Sequence, residues 1–381
     1  MIFADRNINF KKFLQNINLF VFVLFALSLF SCKDDPVSVN EEEFDPPRFN
    51  WRSYEVNYQG QGFSGLWAED TNNIFLINYY DALLIKLSHG IQTGFNLGDY
   101  FISDIKGISE NEVYIFGVKY YPDSRLTIIK FNGAGFEYFP TNIVVTGTNS
   151  YWIKGSVVNN TEIWACSPNG IVKFDGTSMT YYNYDDPLLI PMHFYVSPNN
   201  KLEYIYERFQ SDSVLYTGYY EFIDTSFVKA FEIVGNPYIL NTFTFLNEIN
   251  GNKLGLRYNF SPKSLCVENF ANNSFSTYFC YSNKITDAGT NEFGGFRGMG
   301  LQNFIFIATS SEYIYDPPSR MGILHWDGNK VSKEIGMAPY NSPNHFSTHI
   351  LLCLNPVTYL IFEPHSFYNN GIPYLYIGTK K

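Results

Sequence analysis

The sequence predicts an all-β chain built from one repeated sheet unit, on three observations. Aromatic residues make up 19% of the 381 residues, with 30 Tyr and 36 Phe, while charged residues are only 16%. Aromatic and β-branched side chains pack well on pleated surfaces, so this mix favours strands. No helical stripe of period 3.6 competes with the period-two alternation. After residue 50 a two-part motif recurs, and an internal period is the strongest available pointer to architecture.

One half of the motif is an Asn-rich turn followed by an alternating strand. It reads Asn72-Asn73-Ile74-Phe75-Leu76, Asn111-Glu112-Val113-Tyr114-Ile115 and Thr161-Glu162-Ile163-Trp164-Ala165. Weaker copies begin at Asn199, Asn250, Gln302 and Asn355. These strands recur at a mean spacing of about 47 residues, inside the range of four-stranded propeller blades. The other half is an apolar strand ending in a glycine turn, as in Ile128-Ile129-Lys130-Phe131-Asn132-Gly133 and Ile171-Val172-Lys173-Phe174-Asp175-Gly176. Leu84–Gly90 and Ile323–Gly328 repeat it. Asn-Gly and Asp-Gly after alternating apolar residues signal hairpins, because the turn needs positive φ.

The predicted fold is therefore all-β, a single β-propeller over residues 49–381 with seven four-stranded blades. Residues 205–300 follow the motif less regularly, which leaves six or eight blades open. After Asn344 there is room for three strands only, His349–Leu354, Thr358–Phe362 and Pro373–Gly378. Trp51–Val56, ahead of blade 1, is expected to supply the fourth and close the ring, which removes the open edge that β architectures must manage. The run Trp164-Ala-Cys-Ser-Pro-Asn-Gly-Ile-Val-Lys-Phe-Asp-Gly to Tyr182 resembles the propeller repeats in sensor domains of two-component regulators. That resemblance implies a fold and leaves function to the site.

The first 31 residues read as a secretory signal. Lys11 and Lys12 precede an apolar run from Leu19 to Phe30, and Ser31 follows. The run is short for a transmembrane span, which needs roughly 20 residues. Leu29-Phe30-Ser31-Cys32 resembles a bacterial lipobox, with Phe30 bulkier than usual at its position. The resemblance implies that Cys32 becomes a lipidated (palmitate-bearing) first residue. Lys33-Asp34-Asp35 resembles the export signal of surface lipoproteins of the Bacteroidetes type. Residues 32–48 are acidic and Pro-containing, and are expected to form a disordered tether reaching about 50 Å when extended. The expected location is the outer membrane, lipid-anchored, at the cell surface. The formal charge of −10 argues against nucleic acid, whose phosphates call for Lys/Arg stripes.

Cys266 and Cys280 flank a hairpin with its turn near Asn272-Asn273-Ser274. Pairing about residue 273 sets Phe270 opposite Ser276, Glu268 opposite Tyr278 and Cys266 opposite Cys280. Such neighbours lie about 4.5–5.5 Å apart and can form a disulfide in an oxidising compartment, the alternative being two buried thiols. Cys166 and Cys353 are expected in the core. No Cys-x-x-Cys indicates a metal. His345 and His349 would lie about 13 Å apart on a strand and could share a metal, with His365, only in a helical turn or loop; ordinary surface or core histidines are favoured, and no metal site or other cofactor is expected. Arg297 sits among glycines, but a phosphate-cradling loop needs a helix after it, and a strand follows here.

The candidate binding face comes from loops between the second and third strands of successive blades. Blade 1 carries Tyr79-Tyr80-Asp81, and blade 2 carries Tyr120-Tyr121-Pro122-Asp123-Ser124-Arg125. Blade 4 has Glu207-Arg208-Phe209, blade 6 has Tyr313 to Arg320 including Tyr315, and blade 7 has Tyr368. Equivalent propeller loops lie on one face, so these tyrosines with Arg125 and Arg320 would gather there. Tyr and Arg are enriched where proteins bind partners, and the competing reading is local packing. There is no Gly-x-Ser-x-Gly elbow and no Asp-rich calcium loop. The expectation is a binding or scaffold subunit with a protein or glycan partner. The alternatives are a carbohydrate- or lactone-directed enzyme using channel carboxylates, and a purely structural envelope subunit.

Overall fold

The computed structural model of the chain describes residues 47–58, 62–120, 124–145, 152–183, 189–196, 201–211, 214–223, 226–235, 243–249, 252–260, 263–271, 274–281, 296–300, 303–308, 322–329, 331–336, 350–355, 357–363 and 373–381. Among them every regular element is a strand. β1 (Phe49–Glu55) comes first. Blade 1 is β2 (Phe63–Ala68), β3 (Asn73–Asn78), β4 (Leu83–Ser88) and β5 (Ile91–Asn96). Blade 2 is β6 (Tyr100–Ser109), β7 (Glu112–Lys119), β8 (Arg125–Phe131) and β9 (Phe136–Val144). Blade 3 is β10 (Lys154–Asn159), β11 (Glu162–Ser167), β12 (Gly170–Phe174) and β13 (Met179–Tyr182). Blade 4 is β14 (Leu189–Val196), β15 (Leu202–Ser211), β16 (Val214–Ile223) and β17 (Ser226–Gly235). Blade 5 is β18 (Phe243–Ile249), β19 (Asn252–Phe260), β20 (Lys263–Ala271) and β21 (Ser274–Tyr281). Blade 6 is β22 (Phe296–Gly300), β23 (Asn303–Ala308), β24 (Gly322–Trp326) and β25 (Val331–Gly336). Blade 7 is β26 (Ile350–Asn355), β27 (Thr358–Glu363) and β28 (Tyr374–Lys380), with β1 as its fourth strand.

The described residues thus form seven four-stranded antiparallel sheets, the architecture of a β-propeller. First strands touch in succession, β2 to β6 to β10 to β14 and β18 to β22 to β26, and β26 meets β2. All seven Asn-turn motifs fall where β3, β7, β11, β15, β19, β23 and β27 begin. Ring closure by the early strand is observed: Phe49 pairs with Lys380, Trp51 with Gly378 and Glu55 with Tyr374.

The near-continuous apolar runs follow from burial on both faces. Alternate residues of β3 serve different neighbours. Ile74 and Leu76 pack with Leu360, Phe362, Leu375 and Ile377 of blade 7. Phe75 and Ile77 pack with Ile102, Ile105, Ile115 and Ile129 of blade 2. A fully buried side chain of this size contributes about 1.5–3 kcal/mol. In blade 3 the indole of Trp164 is 1% exposed and shares a cluster with Phe194, Tyr204 and Tyr206 of blade 4.

The repeat also sets a lysine over a ring within each of the first three blades. Lys86, Lys130 and Lys173 stand directly across the strand pair from Phe75, Tyr114 and Trp164. Each ammonium lies 5.5, 5.7 and 5.1 Å from the ring centroid and pairs with Glu110, Glu112 and Glu162 respectively. Such contacts contribute roughly 0.5–1 kcal/mol where partly exposed. In blade 6 His325 takes the lysine's place, opposite Ile305, and hydrogen-bonds Asn303 at 2.8 Å.

Two sequence expectations need correction. Glu207, Arg208 and Phe209 are not in a loop, because β15 runs ten residues and pairs them with Thr217, Tyr216 and Leu215. The alternation that buries Leu202, Tyr204 and Tyr206 simply continues the ladder. In the blade 5 hairpin Phe270 faces Phe275 and Glu268 faces Thr277. A register shift between Val267 and Glu268 then restores the expected pairing of Cys266 with Cys280.

Candidate functional site

In each four-stranded meander, second–third turns share one end of the sheet with the crossovers to the next blade. First–second and third–fourth turns share the other. The sequence motif places tyrosines at the first of these ends.

The blade 1 turn is shaped by Asn78, which is 1% exposed. Its Oδ1 accepts the N–H groups of Tyr80 and Asp81 at 3.0 and 3.2 Å. Tyr79 N–H donates to the Gly62 carbonyl at 2.7 Å, tying the turn to the crossover into β2. Gly62 is at φ +110, and a side chain there would collide with the Tyr80 ring. The blade 2 turn is tied in the same way, Tyr120 N–H donating to Asp99 at 2.8 Å. Ala82 and Ser124, each just before the third strand, adopt φ of 47° and 44°. Non-glycine residues in that left-handed region mark backbone that its surroundings hold firmly.

These two turns meet through a residue the sequence reading missed. The Tyr79 and Tyr80 rings lie 4.1 Å apart, Tyr79 lies 5.2 Å from Phe101, and Phe101 lies 6.4 Å from Tyr120. Phe101 on β6 is 5% exposed, whereas Tyr80 and Tyr120 are 56% and 48% exposed. A row of rings thus runs from blade 1 to blade 2, its middle buried and its two outer members open to solvent. Aromatic pairs at such separations contribute about 0.5–1.5 kcal/mol beyond burial. Asp81, Asp99, Lys119 and Arg125 are exposed near these turns. Tyr121, Tyr315, Arg320 and Tyr368 lie outside the described residues, as do Cys32 and His345, His349 and His365. Arg297 lies on β22, opposite Ile305.

A second polar group lies on the first strands of blades 2 and 3. One Asp104 carboxylate oxygen accepts Ile105 N–H at 2.9 Å and Lys106 Nζ at 2.7 Å, and the other accepts Gly155 N–H at 2.9 Å. Burial alone would raise its pKa, but Lys106, Lys154 and the amide donors outweigh that and hold it below the usual carboxylate range. The group clips β6 to β10. Burial pushes the nearby Cys166 thiol well up, leaving an inert core cysteine. Cys353 is half-buried with its thiol 3.5 Å from the Asn355 carbonyl. Among the described residues no group of three or more His, Cys, Asp or Glu side chains could hold a metal ion. Nor does any described helix have the length and apolarity to cross a membrane.

No protein-family model matches the chain, and no curated protein matches it in sequence. Solved structures of similar fold do exist. Virginiamycin B lyase from Staphylococcus aureus superposes with a TM-score of 0.55 at 12% identity, over 87% of this chain and 100% of that one. A streptogramin B lyase gives 0.53 at 11% identity, over 86% and 97%. BBS1N, solved in complex with ARL6DN, gives 0.51 at 8% identity, over 88% and 98%. At these identities the likeness is one of fold: the chain is a β-propeller.

Proposed function

We propose that this protein is a lipid-anchored propeller at the cell surface that acts as a binding or scaffold subunit, through protein or glycan contacts at its tyrosine-bearing end. The observation that carries this reading is the ring row from Tyr80 through Tyr79 and Phe101 to Tyr120. Local packing accounts for its middle. It does not account for two outer tyrosines about half exposed at 56% and 48%, on turns that are hydrogen-bonded in place. Rigid, partly exposed tyrosines offer contact area at low entropic cost. The anchor rests on the lipobox-like residues around Cys32. BBS1N, of similar fold, was solved holding a protein partner. The lyases of similar fold keep an enzymatic reading in view, but Asp104 does not favour it, because both of its carboxylate oxygens are committed to β6 and β10.

The test is comparative capture. Immobilised wild-type protein should retain a cell-surface protein or glycan that Tyr80→Ala/Tyr120→Ala does not. Retention of the same material by both would overturn the binding reading. Cys32→Ala should release the protein from membranes, and membrane retention of that variant would overturn the anchor.

A further inference from the structure

Four charged side chains stand around the row of rings. Asp81 follows Tyr80 in the blade 1 turn, where Asn78 accepts its N–H at 3.2 Å. Asp99 lies on the crossover into β6, and its carbonyl accepts the N–H of Tyr120 at 2.8 Å. Lys119 closes β7 opposite Tyr100, and Arg125 opens β8 opposite Val144. All four are exposed, and their charged groups have no hydrogen-bond or ion-pair partner among the described residues. Charges elsewhere in these blades are paired: Lys86 with Glu110, Lys130 with Glu112 and Lys106 with Asp104. The backbone beneath the four is fixed all the same, by the bonds on Asn78 and Asp99 and by Val145 N–H donating to Ser124 at 2.7 Å.

From this placement we infer that the ligand of the tyrosine end is an uncharged oligosaccharide. The assignment rests on the binding role proposed above and adds the class of ligand. Tyr80 and Tyr120, 56% and 48% exposed, present two separate rings joined only through their buried neighbours. A pyranose has an apolar C–H face and an edge of hydroxyls. Its face lies against a tyrosine ring, while Asp81 or Asp99 accepts two neighbouring hydroxyls and Lys119 or Arg125 donates to a third. Two acids and two bases leave this rim without net charge, so it sets up no field that would draw a charged partner. A protein seated here would have to take four unpaired charges out of water, and Asp and Lys are depleted in the cores of protein interfaces. Sugar hydroxyls and their bridging waters satisfy the same charges while leaving them wet.

Calorimetric titration tests it. The full-length protein, held in a sugar-free detergent, is titrated with unbranched hexaoses of glucose, mannose and xylose. At least one should bind, with an affinity that changes less than about twofold between low and high salt, because no net charge is neutralised. Tyr80→Ala/Tyr120→Ala should weaken that binding about thirtyfold, as for ring hot spots. Asp81→Asn/Asp99→Asn should weaken it about tenfold, as for hydrogen bonds to a charged group. Both variants should keep the wild-type thermal midpoint. Binding of no hexaose, or binding that either pair of substitutions leaves unchanged, would overturn the assignment. Suppose no hexaose binds, while capture from cell surfaces still needs Tyr80 and Tyr120 and is lost after protease treatment of those surfaces. The ligand is then a protein, so the sugar assignment falls and the binding role stands. If neither hexaose nor surface material is held through the tyrosines, both fall.

Discussion

The two ends of the propeller, the terminus-bearing end where β1 begins and β28 ends and the end that carries the tyrosines, differ in the side chains their described turns present. At the terminus-bearing end the turns satisfy themselves. Asp175 accepts the N–H groups of Thr177 and Ser178 at 2.9 and 2.7 Å, and Asn132 accepts those of Ala134 and Gly135 at 3.2 and 2.9 Å. Gly176 and Gly133 supply the positive φ that follows, at 93° and 90°. Hydrogen bonds to its neighbours hold the Asp175 carboxyl far below the usual range. At the tyrosine end the backbone is equally well tied, Asn78 serving there as Asp175 does. Aliphatic side chains are exposed at the terminus-bearing end too, Ile91 at 70% and Val357 at 47%, but the exposed rings of Tyr80 and Tyr120 belong to the tyrosine end. The first end expends its polar groups on the fold, and the second holds rings in place without covering them.

The largest break in this contrast should come from the terminus-bearing end. Deleting residues 33–46 should leave the thermal midpoint almost unchanged, since Pro47 and Arg48 keep their contacts with Lys381, Asp327 and Glu334. Deleting through residue 57 removes β1, exposes two sheet edges, and should cause aggregation or loss of the cooperative transition. Equal melting of the two truncations would refute closure as a stabilising element.

In blade 5 the register that pairs a ring with a lysine in blades 1 to 3 pairs Leu254 with Asn269. The facing positions of Cys266 and Cys280 allow a cross-link there. Peptide mapping of the protein without reduction should recover the joined peptides. Closing a loop of this length should contribute about 3 kcal/mol, which Cys280→Ser would remove. Two freely alkylated thiols would contradict it.

Blade 6 supplies a pH dependence. His325 is 1% exposed, packs edge-on to Phe49 at 5.0 Å, and has no partner for Nδ1 among the described residues. Burial pushes its pKa down to about 4, against the opposing pull of Glu334 and Asp327 and with the help of Arg48 and Lys380. The unfolded chain therefore takes up a proton near pH 6.5 that the folded chain refuses until about pH 4. Stability is full above pH 6.5 and falls as pH drops through that window, by about 2 kcal/mol between pH 7 and pH 5. Denaturant melts of His325→Gln should be flatter over the same range, and parallel curves for the two proteins would count against this account.

The fold was legible because its repeat is local. An Asn turn, a strand, and a glycine turn lie within one blade, and the period shows in a single chain. The lysine-over-ring pair was legible too, since Lys130 stands two residues before Asn132 just as Lys173 stands two before Asp175. It was missed because its meaning appears only when Tyr114 and Trp164 are read across the strand pair. Phe101 was not legible at all. It is one aromatic among many on β6, and only the approach of blade 1 to blade 2 sets it between Tyr79 and Tyr120. Blade 4 misled for the opposite reason: a loop pattern taken from blades 1 and 2 was laid over a strand that does not stop at Tyr206.

The central claim is that one end binds and the other holds the fold, and a paired measurement tests it most directly. Thermal midpoint and partner capture are measured together for Tyr80→Ala/Tyr120→Ala and for Asp175→Ala. The tyrosine variant should lose capture with a stability change within about 0.5 kcal/mol, as for ordinary surface positions. Asp175→Ala should melt lower and capture normally. A tyrosine variant that melts several degrees lower while still capturing its partner, beside an Asp175→Ala that loses capture, would contradict the account.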